Sequence, residues 1–266
     1  MEPTSAAAAN GAVADESQFD RDYFIGGGKS NYPDYRLIEG AIDEAFMPTV
    51  RRYADWAGRD RAERRSLDVG CAMGFYVERL GALGWDAHGV DVSEFAVGEG
   101  KERGIANLQV ASATELPFED ESFDFVTAID VIEHLPPAGS SAMVAETHRV
   151  LRRGGLAFYA TPNYLTNAFW NKFTPGFFDE DDTHINYQSD ESLRAHFADF
   201  SECHIYGETP FIGQFRAVEL SGAFDGRGFG VPVIGDVMRR MARSAAWKLL
   251  GRDVRYSSYL HAVAVK

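Results

Sequence analysis

The sequence is short of cysteine and of basic residues, and it lacks long apolar runs. Two cysteines, Cys71 and Cys203, occur in 266 residues, which excludes a disulfide framework and fits a reducing cytoplasm. Lysine and arginine number 26 against 40 acidic residues, and the net charge of −14 argues against DNA or RNA as a partner. No apolar run could span a bilayer and no basic-then-apolar targeting pattern opens the chain, so we expect no stable membrane insertion.

Composition divides the chain into a tail, a helical segment and a larger domain. Residues 1–17 are rich in alanine, serine and glutamate without periodicity, and we predict a disordered tail. Residues 18–60 are predicted to form N-terminal lid or cap helices, because apolar residues between positions 34 and 56 repeat at three and four; Pro48 should end or kink the helix. The glycines 26–28 in this segment form either a hinge or a plain surface loop.

Strands and helices alternate regularly from residue 67 onward. Five apolar segments are predicted as buried parallel strands: 67–70, 86–90, 108–111, 123–129 and 156–160. The helices predicted between them cover 75–83, 94–103 and 139–152, and a turn is expected at 153–155. The alternation predicts an α/β fold with a doubly wound sheet and ligands at the carboxyl ends of the strands. Gly70, Asp91, Ser112 and Asp130 fall at such ends.

The alternation breaks in the last third of the predicted domain, which spans 61–266. Two long segments, 164–188 and 207–258, are predicted to be cap insertions. The second contains a basic amphipathic helix that fits a membrane surface or, more simply, the surface of its own domain. A helix at 190–197 capped by Ser189, a strand at 203–206 and a final strand at 259–265 complete the predicted elements.

The stretch from Ser66 to Ser93 has the form of a nucleotide-type cofactor site. A strand runs into the glycine-rich turn 70–74, a helix follows, and the next strand ends at Asp91. Such a turn lets a ligand approach the backbone, and a carboxylate about 20 residues further on can accept hydrogen bonds from a ribose diol. A nicotinamide-dependent oxidoreductase would use the same diol contact, so this stretch alone leaves the cofactor open.

Five segments, in order, resemble class I S-adenosylmethionine-dependent methyltransferases of the small-molecule, ubiquinone-type group. They are Leu67-Asp-Val-Gly-Cys-Ala-Met-Gly-Phe, Gly89-Val-Asp-Val-Ser, Thr114-Glu-Leu-Pro-Phe-Glu-Asp-Glu-Ser-Phe-Asp-Phe-Val, Asp130-Val-Ile-Glu-His-Leu and Arg149-Val-Leu-Arg-Arg-Gly-Gly. The resemblance implies a seven-stranded, mostly parallel Rossmann-like sheet whose last strand lies antiparallel beside the fifth. It also implies S-adenosylmethionine as methyl donor. The turn lacks the full Gly-x-Gly-x-x-Gly form of nicotinamide enzymes, which makes the oxidoreductase the alternative.

The resemblance assigns donor-binding roles by position at the methionine end of the donor. Asp68 and the backbone at Gly70 and Ala72 would hold the methionine moiety, and Gly74 would allow close helix packing. Asp130 or its backbone would lie beside the methionine ammonium and the reacting methyl group. Ala72 stands where the family often has glycine, which would make the turn slightly tighter.

At the nucleoside end, the resemblance points to four further residues. Asp91 would accept hydrogen bonds from both ribose hydroxyls, and Val92 would pack on the adenine. Ser112 and Ala113 would line the adenine edge. The family usually has an aspartate at the position of Ser112, so a hydroxyl would replace a charged acceptor there.

Methyl transfer from a sulfonium is an in-line displacement that depends mainly on alignment and desolvation. A base is needed only when the acceptor is a hydroxyl or a protonated amine. Candidate catalytic residues are His134, His184 and Tyr32, with Tyr35 close to Tyr32 in sequence; His134 also fits a structural histidine at a strand end. The aromatic-rich insertions favour an O or N atom of a sugar, an aromatic ring or a specialised metabolite as acceptor.

One motif leaves a metal-assisted mechanism open. Asp130-x-x-Glu133-His134, with His184 downstream, is similar to the divalent-metal ligands of ubiquinone-type catechol O-methyltransferases and of small-RNA terminal 2′-O-methyltransferases. Such a set would orient and acidify a diol, including an RNA 3′ end. The same short motif occurs in metal-free relatives and an aspartate reaches less far than a glutamate, so we expect no metal ion. A homodimer and a non-catalytic binding scaffold also stay open.

Overall fold

The computed structural model describes residues 16–26, 30, 34–163, 181–208, 257 and 259–266. The predicted tail up to residue 15, the candidate Tyr32 and most of both predicted insertions lie outside these ranges. Within the described ranges, no helix combines the length and the apolar character that a membrane crossing requires.

The strands form one sheet at the centre of the described chain. In chain order they are β1 (Arg65–Val69), β2 (Asp86–Asp91), β3 (Leu108–Val110), β4 (Phe123–Ile129), β5 (Leu151–Pro162), β6 (Glu202–Glu208) and β7 (Tyr259–Val265). The seven strands are arranged in the order β3-β2-β1-β4-β5-β7-β6. The first five pair in parallel, whereas β7 is antiparallel to both β5 and β6. The predicted doubly wound α/β sheet with an antiparallel last strand beside β5 is confirmed.

Seven α-helices are described, and all but the first three follow the strand–helix alternation. They are α1 (Arg21–Ile25), α2 (Glu39–Ala45), α3 (Met47–Ala57), α4 (Phe75–Ala82), α5 (Glu94–Glu102), α6 (Pro137–Val150) and α7 (Asp190–His196). Short 3-10 helices cover Glu16–Gln18, Tyr35–Ile38 and Ile132–His134. The first of these includes two residues of the segment that composition assigned to the tail. Ser189 is the N-cap of α7, as the sequence predicted, and it forms a capping box with Ser192.

The helical segment at 34–57 breaks at Phe46, two residues before Pro48, so the predicted interruption is confirmed. The chain leaves α2 at Phe46, and Pro48 is the second residue of α3 rather than the end of a helix. Proline fits there because the first-turn N–H groups of a helix have no intrahelical partner, so the missing N–H costs nothing. Val50 and Ala54 of α3 are fully buried. The segment therefore packs on the domain as part of its core.

The predicted turn at 153–155 is wrong, and so is the predicted end of the preceding helix. The helix α6 ends at Val150 and β5 begins at once, so Gly154 and Gly155 lie inside a strand. They exchange backbone hydrogen bonds with Lys266 beside β7, at 2.9 and 3.0 Å. Gly154 has a φ of +72°, which lets the strand bulge between its pairings to Phe123 and Phe125. The glycines therefore mark a bulge instead of a turn.

Apolar residues cover both faces of the sheet in two separate clusters. One joins α1–α5 to the sheet and includes Phe75, Phe125 and Phe158. The other lies under α6 and α7 and includes Met143 and Tyr159. Burial of each large apolar side chain stabilises the fold by about 1.5–3 kcal/mol, so these layers hold the strand ends in place. The loops after β1, β2, β3 and β4 meet at one edge.

Candidate functional site

The turn after β1 is tied to β2 by its backbone. The N–H groups of Gly70 and Cys71 both donate to the carbonyl oxygen of Val90, at 2.8 and 2.9 Å. Gly70, Ala72 and Gly74 have φ values of +73°, +47° and +80°. Ala72 is the one residue among these with a side chain, and its left-handed conformation costs about 1–2 kcal/mol. The turn therefore holds a strained backbone in a fixed position beside β2.

Gly70 also permits the close approach of two loops. A Cβ atom at this position would collide with the side chain of Val131. Val131 follows Asp130, which itself has a φ of +55° at the end of β4. A side chain at position 70 would push these loops apart, so the residue type and the site geometry are linked.

Asp91 is held rigidly at the end of β2. Its Oδ2 accepts a hydrogen bond from the Ala72 N–H and its Oδ1 accepts one from the Ser93 N–H, both at 2.8 Å. Burial raises the pKa of Asp91 while these backbone donors oppose the rise. Each carboxylate oxygen has a second lone pair, so the fixed carboxylate can still accept from a diol. Val92, which the resemblance assigns to packing on the adenine, follows directly in the chain and is half-buried.

Asp68 lies on β1 below the turn and has an incomplete set of hydrogen bonds. Its Oδ1 accepts from the Thr127 hydroxyl at 2.7 Å. Its Oδ2 is buried without a hydrogen-bond partner among the described residues. Burial first, and then the charge of Asp91, raise the pKa of Asp68 to about 7. A buried, unsatisfied carboxylate fits an ammonium group, so the residues present fit an amino-acid-bearing cationic donor.

Two tyrosines enclose this acidic region. The Tyr35 ring stacks on Phe75 with a centroid distance of 5.7 Å and an interplanar angle of 6°. Burial, followed by the charges of Asp68, Asp91 and Asp130, raises the pKa of Tyr35. The Tyr35 hydroxyl group therefore lies within electrostatic reach of all three carboxyl groups.

Tyr76, in the first turn of α4, is buried in the same environment. Burial raises its pKa first, and the neighbouring Tyr35 and the acids Asp130 and Asp68 raise it further. Tyr35 was expected from the sequence and Tyr76 was not, although its place two residues after the glycine turn was the available signal. Tyr32 lies outside the described residues.

Ser112 and Ala113 lie in the loop after β3, beside the end of β2. The Ala111 N–H donates to the carbonyl oxygen of Asp91 at 3.0 Å, which holds this loop against the acidic residue. The Ser112 hydroxyl pairs with that of Thr114 at 3.0 Å, and Ala113 packs on the apolar cluster under α6. The structure thus brings the predicted adenine-side residues next to Asp91.

A second group of polar residues follows β4, on the far side of Asp130. Glu133 and His134 lie in the 3-10 helix there, and His184 comes from the loop at 181–189. The two imidazole centroids are 4.5 Å apart, and His184 Nε2 lies 4.0 Å from Glu133 Oε1. The N–H groups of Ile185 and Asn186 donate to the Glu133 carbonyl oxygen at 3.1 and 2.9 Å. The loop is thereby fixed against the strand end, and two histidines 50 positions apart meet.

Glu133 is the buried acid of this group. Its Oε2 accepts a hydrogen bond from the Thr161 hydroxyl at 2.9 Å, and its Oε1 has no hydrogen-bond partner among the described residues. Burial, reinforced by Asp130, raises the pKa of Glu133, and His184 opposes the rise. One donor atom from each of Glu133, His134 and His184 lies within 4.8 Å of the other two, a spacing at which these residues could hold a metal ion. The sequence led us to expect no metal ion, whereas the geometry of these three residues would fit one.

His134 is enclosed by the N-terminal segment and by the loop at 181–189. Phe19 and Tyr23 pack edge-on against its ring, with centroid distances of 5.3 and 6.3 Å. Its Nδ1 lies 2.9 Å from the Thr183 hydroxyl. Sequence reasoning missed this threonine, because a single hydroxyl outside a motif carries no signal until its partner is known.

A sheet ordered β3-β2-β1-β4-β5-β7-β6, with a glycine turn after β1 and a pinned acid after β2, defines the class I methyltransferase fold. Residues 67–159 of this chain match the family model described as Methyltransferase domain. A protein of Mycolicibacterium smegmatis named Probable S-adenosylmethionine-dependent methyltransferase is 30% identical over 193 residues, which cover 72% of this chain and 68% of that protein. The chain belongs to the S-adenosylmethionine-dependent methyltransferases, and S-adenosylmethionine is its cofactor.

Other relatives match more narrowly. The ubiquinone biosynthesis O-methyltransferase of Methylococcus capsulatus is 30% identical over 135 residues, covering 48% of this chain and 54% of that protein. The chain thus spans about half the length of that relative. A solved S-adenosylmethionine-dependent methyltransferase from Archaeoglobus fulgidus shares the fold at 19% identity, with a TM-score of 0.57 over 87% of this chain and 99% of that one.

Proposed function

We propose that this methyltransferase transfers the methyl group to a hydroxyl oxygen of a small molecule. The observation that supports this most is the cluster of Glu133, His134 and His184. It lies just beyond Asp130, at the same edge of the sheet as the glycine turn after β1. A hydroxyl becomes a strong nucleophile only when its proton is removed, and an imidazole is the usual base. The sequence allowed an O or an N acceptor; this cluster favours oxygen. The family assignment favours methyl transfer over the nicotinamide-dependent alternative.

The proposed mechanism assigns each part of the site a separate task. S-adenosylmethionine, when bound, supplies a methyl group that its sulfonium charge has already activated. Asp68 would hold the donor's ammonium group and Asp91 its ribose, while Tyr35 excludes water from the turn. His184 would take the acceptor's proton as the O–CH3 bond forms and the S–CH3 bond breaks. Glu133 would stabilise the resulting imidazolium, since a carboxylate oxygen lies 4.0 Å from its Nε2.

A metal-assisted reaction on a diol is the second candidate, favoured by the same three donor atoms. Two imidazole nitrogens and a carboxylate oxygen within 4.8 Å of one another suit Zn²⁺ or Mn²⁺ better than Mg²⁺, which prefers oxygen ligands. The residues would then act as ligands, and the ion would acidify the diol. An RNA 3′ end carries such a diol, but a chain with a net charge of −14 is poorly suited to a polyanion.

The test is methyl transfer from labelled S-adenosylmethionine to a metabolite extract of the native host, with mass spectrometry of the product. A catechol (3,4-dihydroxybenzoate) and a short RNA serve as separate arms. The variant His184→Ala should lose about 10²–10⁴-fold in turnover without weaker binding of S-adenosylhomocysteine, because a base acts on the acceptor. His204→Ala is the matched control, since that exposed histidine lies 3.7 Å from Glu202 on β6. Full activity of the His184 variant would contradict the proposal.

Chelation separates the two candidates. The protein is treated with EDTA, desalted and assayed before and after addition of Zn²⁺, Mn²⁺ or Mg²⁺. Activity that survives, with no metal detected by mass spectrometry, supports the base. Activity that is lost and then restored by one ion supports the metal-assisted reaction, and Glu133→Gln should then lower the affinity for that ion about 10–100-fold or more.

A further inference from the structure

Asp181 and Thr183 form a chain of hydrogen bonds that ends at His134, a member of the cluster with Glu133 and His184. The Oδ1 of Asp181 accepts from the Thr183 backbone N–H at 2.9 Å and also from the Thr183 hydroxyl. The Thr183 Oγ1 lies 2.9 Å from His134 Nδ1, and the Thr183 carbonyl oxygen lies 3.2 Å from the same nitrogen. All three residues are buried, at 4%, 5% and 7% exposure, so water competes little for these bonds.

The direction of each bond in this chain follows from its partners. A carboxylate can only accept, so the hydroxyl proton of Thr183 points to Asp181. The Thr183 oxygen is then an acceptor toward His134, and the Thr183 carbonyl can also only accept. Both groups therefore require that His134 Nδ1 carries a proton.

We propose that Asp181 and Thr183 are positioning residues that hold the His134 imidazole in the tautomer protonated on Nδ1, so that Nε2 carries the lone pair. The inference rests on the proposed function in one respect: it assumes that the His134 ring takes part on the acceptor side. A histidine can act as base or ligand only through the nitrogen without a proton, and the group on the other nitrogen selects which one that is. The loop at 181–189 thus supplies His184 and also orients the imidazole of His134.

The N-terminal segment adds a further contact to this chain. The Tyr23 hydroxyl donates to Asp181 Oδ2 at 3.5 Å, and its ring packs against His134. Because Tyr23 contacts Oδ2, the Oδ1 atom of Asp181 stays directed at the Thr183 hydroxyl. The orientation of His134 is thus linked to the docking of α1, which carries Tyr23.

The experiment is long-range ¹H–¹⁵N NMR of full-length protein labelled with ¹⁵N-histidine, at pH 8 and saturated with S-adenosylhomocysteine. The His134 signals are assigned as those missing from the spectrum of the His134→Gln variant. The expected spectrum shows a protonated Nδ1 and an unprotonated Nε2. A proton on Nε2 in the wild-type protein overturns the proposal.

Two pairs of variants test the two residues. Thr183→Val removes the hydroxyl at nearly constant shape and should lower the Nδ1–H population, whereas Thr183→Ser should restore it. Asp181→Ala should act like Thr183→Val, and Asp181→Asn should preserve the tautomer because its amide oxygen can still accept from Thr183. An unchanged spectrum in both Thr183→Val and Asp181→Ala, with unchanged affinity for S-adenosylhomocysteine, overturns the positioning roles.

Methyl-transfer assays on the same proteins keep the two proposals apart. Turnover of 3,4-dihydroxybenzoate, or of the acceptor found in the host extract, should fall about 10–100-fold in Thr183→Val. If the tautomer shifts and turnover does not, the positioning roles stand and the use of His134 in the reaction is wrong. A Thr183→Ser protein that recovers both readouts supports positioning over a general loss of packing.

Discussion

Asp68 is a buried carboxyl group whose charge the surrounding residues only partly stabilise. One oxygen accepts from Thr127, the other has no hydrogen-bond partner among the described residues, and burial together with Asp91 raises the pKa to about 7. A cationic ligand removes that penalty by pairing with the ionised form. At the scale of single residues, the proposed role of Asp68 therefore couples donor binding to proton release at this position.

We expect the affinity for S-adenosylhomocysteine to rise with pH through about 7. In the proposed function the ionised form of Asp68 holds the ammonium group, so affinity should fall by roughly tenfold for each pH unit below that value. Calorimetry between pH 5.5 and 8.5 measures this, in buffers of different ionisation enthalpy so that proton release is counted.

The matched control for this titration is Asp68→Asn. The amide keeps the shape but cannot ionise, so binding should be weaker and nearly independent of pH over the same interval. Asp91 and Tyr35 face the same region and remain in the variant. A slope that persists in the variant would assign the titration to one of these groups instead.

Gly70 offers a second residue-scale prediction. Gly70→Ala should destabilise the fold by about 1–2 kcal/mol or more and weaken S-adenosylhomocysteine binding more than tenfold, because φ is +73° and the new Cβ would collide with Val131. Gly98 lies in the interior of α5, with nothing within 4 Å of a new Cβ. Gly98→Ala should therefore raise the free energy of unfolding by about 0.5–1 kcal/mol. Urea unfolding and calorimetry measure both. Equal effects of the two substitutions would contradict this reading of the turn.

Residue types with a strong local signal could be predicted from the sequence, and others could not. Gly70 and Asp91 have conformational or spacing requirements that show in the sequence itself. Thr127, Thr161 and Thr183 are ordinary threonines in sequence, and they matter only because Asp68, Glu133 and His134 come to lie beside them. Such partners are set by packing across the sheet.

At the scale of elements, an ion-pair network joins the N-terminal helices to the methyltransferase fold. Arg79 of α4 lies 2.9 Å from Asp43 and 2.7 Å from Glu39, both in α2. Arg103, which follows α5, also pairs with Glu39 at 3.2 Å and covers the outer face of Phe75 at 4.7 Å. The predicted lid segment is thus anchored next to the ring on which Tyr35 stacks.

Arg79→Met should loosen this attachment. Removing pairs that are partly exposed costs about 1 kcal/mol, which corresponds to an approximately fivefold weaker binding of S-adenosylhomocysteine if Tyr35 covers the bound donor. Hydrogen exchange should increase in residues 35–57. Arg153→Met is the control, because that side chain is 90% exposed in its pair with Glu121. Faster hydrogen exchange with unchanged affinity for S-adenosylhomocysteine would show that this segment does not contribute to donor binding.

Element boundaries show where local patterns fail. The strands at 123–129 and 259–265 agree with the prediction residue for residue, because both segments are largely apolar. The start of β5 was missed since Gly154 and Gly155 usually mark a turn. Their pairing with Lys266, more than 100 positions away, keeps them in the sheet.

At the scale of the whole molecule, a ligand that binds only the folded protein should stabilise it. S-adenosylhomocysteine at 100 times its dissociation constant should add about 2.7 kcal/mol, which raises Tm by about 5–10 °C for a chain of this size. NAD at the same concentration should leave Tm unchanged. Differential scanning fluorimetry measures both, and a shift with NAD alone would contradict donor binding.

The sequence by itself determined the order of strands and helices, the glycine-rich turn after β1 and the acid that ends β2. Those features depend on apolar periodicity and on spacings within about 30 residues, which are local properties of a chain. Only the tertiary structure decided that the rings of His134 and His184 lie 4.5 Å apart and that the Thr183 hydroxyl lies 2.9 Å from Nδ1 of His134. These contacts join segments about 50 positions apart, and they form because apolar layers on both faces of the sheet bring the loops at its edge together.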